Sequence, residues 1–93
     1  MSASPITDFD GKVVVITGGA SGIGKALAEA LARAGAILVL ADIEKSVLDA
    51  TVAELAAAGA TVSGVVTDVS DPDSVEALAE EVFRRHGRTN VLV

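Results

Sequence analysis

The chain has 93 residues, enough for one small domain, and 51% of them are hydrophobic, so a buried core is within reach. It contains no cysteine, which excludes disulfides, thiolate metal sites and a cysteine nucleophile. A formal net charge of −6 speaks against nucleic acid as a partner, because nucleic-acid binders usually present a basic face.

The opening Met1–Pro5 has neither the basic region nor the apolar core of a signal peptide. No apolar run reaches the roughly 18 residues needed to span a membrane. Together these features predict a cytoplasmic protein with no membrane contact. Residues 1–10 read as a flexible leader and 11–93 as the structured part.

Lys12–Thr17 is a continuous, mostly β-branched run, as expected of a strand covered on both faces. The spacing then predicts a helix from about Ile23 to Ala34. Ile23, Leu27 and Leu31 share one face, Ala26, Ala30 and Ala34 lie beside them, and Gly35 is the stop. A second strand covers Ile37–Ala41 and ends at Asp42. The second helix is expected from Ser46 or Val47 to Ala58, with Ser46 and Asp49 at capping-box spacing and Gly59 at its end.

The third strand, Thr61–Thr67, leads to Asp68. Ser70 and Asp73 repeat the capping spacing, and Pro72 suits a first helical turn. Val75, Leu78, Ala79 and Val82 are predicted to face inward. Arg84, Arg85 and His86 fall where the helix dipole favours cations, and Gly87 closes the helix. Val91–Val93 begins a fourth strand. This β-α-β-α-β-α-β order predicts an α/β fold, the N-terminal half of a Rossmann-like doubly wound parallel sheet. A strand that stops in mid-run reads as a truncated domain.

The turn after the first strand carries glycines at 18, 22 and 24. A pyrophosphate must approach the backbone N–H groups at a helix N-terminus, and a side chain at the closest point would block it. Gly18 suits the sharp exit from the strand, Gly22 clears space for the phosphates, and Gly24 lets the helix lie close to the strand. Gly19–Lys25 also fits the start of a triphosphatase P-loop. That loop needs Ser or Thr next to hold magnesium, and the residue here is Ala26. A methyl-donor-binding domain is a second rival, but an acid is expected near the end of its first strand, where this chain has Thr17.

Asp42 ends the second strand, where an acid can accept hydrogen bonds from the adenosine ribose. Its carboxylate would repel the 2′-phosphate of NADP. Neither Ile43 nor Ser21 offers a cation to that phosphate, so NAD is the expected cofactor and NADP the less favoured one.

The run Gly11–Gly24, with its Thr17-Gly18-x₃-Gly22-Ile23-Gly24 core, resembles the start of a short-chain dehydrogenase/reductase. The resemblance extends over nearly the whole chain. It implies that Asp42 is the ribose acid and that Asp68-Val69 meets adenine through the Asp carboxylate and the next backbone amide. The candidate cofactor-binding residues are therefore Gly18, Ser21, Gly22, Ile23, Gly24, Asp42, Ile43, Asp68 and Val69. Gly87–Val93 resembles the approach to the family's fourth strand, with Asn90 where relatives often have Asp. The family's catalytic Ser and Tyr-x₃-Lys lie further downstream, and this chain has no tyrosine. Ser63, Ser70, Ser74 and Lys45 are in the wrong parts of the fold to replace them. His86, the single histidine, makes no metal site. No catalytic residue is assigned.

The expected function is the NAD-binding portion of an oxidoreductase that moves hydride between the nicotinamide and an alcohol or carbonyl substrate. The resemblance implies a homo-oligomer for the full-length protein. The alternative is a non-enzymatic dinucleotide-binding or interaction module complete at 93 residues.

Overall fold

The computed structural model describes residues 9–93. The four apolar runs become β1 (Val13–Thr17), β2 (Ile37–Asp42), β3 (Thr61–Val66) and β4 (Val91–Leu92). They form one parallel sheet in the order β3-β2-β1-β4. Parallel neighbours need long crossovers. These are the helices α1 (Gly22–Arg33), α2 (Lys45–Ala57) and α3 (Pro72–His86).

Alternation along the strands sends side chains to two cores. Val14, Ile16, Leu38 and Leu40 pack with Ala28 and Leu31 of α1 and with Leu48 and Leu55 of α2. Val13, Val15, Val39 and Ala41 meet Leu78 and Val82 of α3 on the opposite face. Helices thus cover both faces, and the Rossmann-like, doubly wound class expected from the sequence is what forms. Burying each Leu, Ile or Val side chain is worth about 1.5–3 kcal/mol, so this two-sided burial is the main source of stability.

Register decides where the loops meet. Thr17 lies opposite Ala41, and Asp42 opposite Val66, so the carboxyl ends of three strands are level. The ladder runs on past them: the Gly18 amide donates to the Ala41 carbonyl at 2.7 Å, and the Thr67 amide to the Asp42 carbonyl at 2.9 Å. At the other end, Asn90 Oδ1 accepts from the Val13 amide at 2.8 Å and from Arg88 Nε at 3.1 Å.

Several local expectations change. The leader expected over residues 1–10 lies outside the described residues as far as residue 8, whereas Phe9 packs on the core and the Lys12 amide donates to its carbonyl. On α1, Ile23 is 89% exposed, and Ala28 takes a place against the sheet. The first turn of α1 stands clear of the sheet, and only later turns reach it. The Ser46–Asp49 capping box does not form. Glu44 occupies the N-cap position without a side-chain bond, and Asp49 pairs with Lys45 instead. On α3 the cap is Asp71, whose side chain accepts from the Asp73 amide, and Pro72 takes the first position. Leu78 and Val82 are buried as expected, but Val75 and Ala79 are exposed beside β4. They help line an apolar cavity of about 510 Å³ with Val15, Leu78 and Leu92. Arg84 and Arg85 both pair with Glu81. Among the described residues, no helix is long and apolar enough to cross a membrane.

Candidate functional site

The glycine turn connects β1 to α1 at the level edge of the sheet. Gly18 and Gly22 adopt φ values of +66° and +59°, a region L side chains enter at a cost of about 1–2 kcal/mol. The space a side chain on Gly22 would occupy is open. Gly24 is constrained by packing: a Cβ there would strike the Gly18 carbonyl and come within 3.0 Å of the Gly19 Cα. Its close approach is therefore to the turn itself, a refinement of the expected contact with the strand. Gly19, not among the expected site residues, is under a milder constraint: a Cβ would lie 3.0 Å from both the Ile16 carbonyl and Leu40 Cδ2.

Ser21 is the N-cap of α1, yet its side chain makes no capping bond, and the first turn holds no acidic residue. The initial N–H groups of a helix have no intrahelical partners. With no carboxylate within that first turn, the positive end of α1 is available to an anion.

Asp42 is tied into this turn. Its Oδ2 accepts from the Ala20 amide at 3.3 Å and its Oδ1 from the Glu44 amide at 3.2 Å. Each carboxylate oxygen retains acceptor capacity, enough for a pair of vicinal hydroxyls. Ile43 is 58% exposed next to it. The nearby lysines are engaged elsewhere, Lys25 with Glu54 at 3.1 Å and Lys45 with Asp49 at 2.6 Å.

Asp68 follows β3. The Ser70 hydroxyl donates to its Oδ1 at 2.6 Å and the Ser70 amide at 2.9 Å, and these two bonds hold the carboxyl below its ordinary range. The Asp68 amide donates to Ser74 Oγ at 2.9 Å, so the first turn of α3 fixes this corner.

Gly18, Asp42, Ile43, Asp68 and Val69 come together around a cavity of about 190 Å³, with Ala41 and Thr67 completing it. Ser21 and Gly22 line a neighbouring cavity between α1 and α2. Ile23 and Gly24 line neither: Ile23 projects into solvent, and Gly24 acts through the turn's packing. Sequence reasoning also missed Thr51. It is buried in the α2 stripe with Leu48 and Leu55, and a polar residue in such a stripe was the available signal.

Residues 12–93 match the family model for short chain dehydrogenases. The chain belongs to that family. It is 51% identical over 81 residues to 1-deoxy-11-beta-hydroxypentalenate dehydrogenase of Streptomyces arenae, covering 87% of this chain and 29% of the relative. A short-chain dehydrogenase/reductase from Burkholderia phymatum, solved in complex with NAD, superposes with a TM-score of 0.88 at 51% identity, covering 90% of this chain and 30% of that one. A metagenomic short-chain oxidoreductase in complex with NADP gives a TM-score of 0.84 at 38% identity, covering 90% of this chain and 38% of that one. The chain thus spans between 29% and 38% of the length of these three proteins. Its short-chain dehydrogenase fold is one that takes a nicotinamide dinucleotide, NAD in one neighbour and NADP in another.

Proposed function

We propose that this chain is the NAD-binding portion of an oxidoreductase that transfers hydride between the nicotinamide and an alcohol or carbonyl substrate. The observation that carries the proposal is the convergence at one sheet edge of an acid-free helix N-terminus with the Asp42 and Asp68 corners. The N–H groups of the α1 first turn, at Gly22, Ile23 and Gly24, hold the pyrophosphate, and the open space at Gly22 admits it. Gly18 supplies the turn and Ser21 lines the approach. Asp42 receives the ribose hydroxyls, Ile43 flanks the adenosine, and Asp68 with the Val69 amide meets the adenine. The nicotinamide ring, when bound, donates or accepts the hydride, while the protein supplies orientation and electrostatics. None of the 93 residues is assigned to proton transfer. The full-length protein is proposed to be cytoplasmic and homo-oligomeric.

NAD is preferred over NADP because Asp42 places a carboxylate where a 2′-phosphate would add like charge. Fluorescence titration of the intact protein is expected to show tighter binding of NADH than NADPH. Asp42→Ala should narrow the ratio by about tenfold, or ~1.4 kcal/mol. Equal affinities in the unsubstituted protein would sink the NAD assignment.

A further inference from the structure

We propose that Thr51 is a positioning residue for the glycine turn, aiming its N–H groups at the dinucleotide from the face of α2 that packs against the turn; this rests on the dinucleotide reading above. Thr51 is 4% exposed, and its hydroxyl donates to the Ala20 carbonyl at 2.6 Å. The Ala20 amide donates to Asp42 Oδ2 at 3.3 Å. The two peptide groups flanking the Ala20 Cα are therefore each held by a side chain, one from α2 and one from the end of β2. A peptide group is planar, so fixing the Ala20 carbonyl also fixes the Ser21 N–H in the same plane. Gly22, the first residue of α1, follows directly.

The bond answers a need of the turn rather than of the threonine. A helical Thr hydroxyl can bond a carbonyl of its own preceding turn. The Ala20 carbonyl belongs to a buried, non-repetitive segment and has no helix or strand ladder to complete it. The other tie across this interface, Lys25 to Glu54, is exposed, where ion pairs contribute little. Among the described residues, the Thr51 hydroxyl thus adds a buried hydrogen bond to the apolar packing between α2 and the turn.

The test is NADH and NADPH titration of the intact protein carrying Thr51→Val, Thr51→Ala, Thr51→Ser or Leu55→Ala. Leu55→Ala weakens the same buried face of α2 at its other end, beside Ala32 and Arg33 of α1, and leaves the Thr51–Ala20 hydrogen bond in place. Thr51→Val and Thr51→Ala should raise the Kd for NADH by roughly five- to tenfold. Thr51→Ser should bind within about twofold of the unsubstituted protein, and folded Leu55→Ala should bind like it. Ala and Ser differ by only the hydroxyl, so that pair decides the matter even if Thr51→Val does not fold. Unchanged affinity without the hydroxyl, Ser no better than Ala, or an equal loss in Leu55→Ala overturns the role of Thr51. An unsubstituted protein that binds neither cofactor instead overturns the dinucleotide reading itself.

Discussion

At the scale of single residues, the site combines the backbone donors at the start of α1 with two carboxylates, Asp42 and Asp68, that neighbouring N–H and O–H groups hold in place. Asp68 shows the consequence for pH. Two hydrogen bonds from Ser70 favour its charged form and depress its pKa below the ordinary 3.8. A carboxylate depressed in the folded state contributes stability that is present above its unfolded pKa. That contribution is lost as pH falls through the lower, folded value. Asp68 therefore stays ionised across the neutral and mildly acidic range, the charge state that its proposed hydrogen bond to the adenine amino group requires. Carboxyl NMR titration should place its midpoint below 3.8, and Ser70→Ala should move the midpoint upward. An unmoved midpoint would mean that Ser70 does not set the charge at this corner.

At the scale of elements, the central strands β1 and β2 were legible because both are covered on both faces and so read as nearly unbroken apolar runs. The edge strands β3 and β4 are only partly covered and were legible from their place in the alternating order. Helix starts were less legible, because several polar residues near each one compete for the capping role. Before α3, Ser70 and Asp73 have capping-box spacing, but Pro72 suits the first helical position and so places Asp71 at the cap. Ser70 is then free to bind Asp68. Before α2, Asp42 already accepts from the Glu44 amide, and the chain enters the helix without a capping side chain. The two serines near α3 and its cap thus separate by function. Asp71→Ala should cost about 1 kcal/mol in chemical denaturation. If Ser70→Ala cost as much while Asp71→Ala cost nothing, the cap would be misassigned. The glycine turn was legible through Gly18, Gly22 and Gly24. The contacts that hold it, from Thr51 and from Leu40 beneath Gly19, join residues far apart in the chain and have no local signature.

At the scale of the whole molecule, the strand order β3-β2-β1-β4 and the level register bring three loops to one edge. Ligands in open α/β sheets bind outside the carboxyl ends of the strands, at the point where strand order reverses. Here that point is β1, flanked by β2 and β4. A dinucleotide spanning the turn, Asp42 and Asp68 would touch loops leaving β1, β2 and β3, so binding must stabilise the folded state of the sheet as a unit. At free NADH 100-fold above its Kd the gain is about 2.7 kcal/mol. For a cooperative unit of about 150–250 residues, nearer the length of the relatives, that corresponds to a rise in Tm of roughly 5–10 °C. NADPH at the same concentration should give a smaller rise. Gly22→Val fills the open space beside the first helical N–H groups and forces a β-branched residue to φ near +59°. It should lower the starting Tm and also abolish the NADH-dependent rise. A Gly22→Val protein that melts lower yet still gains the full shift from NADH would place the pyrophosphate away from this turn.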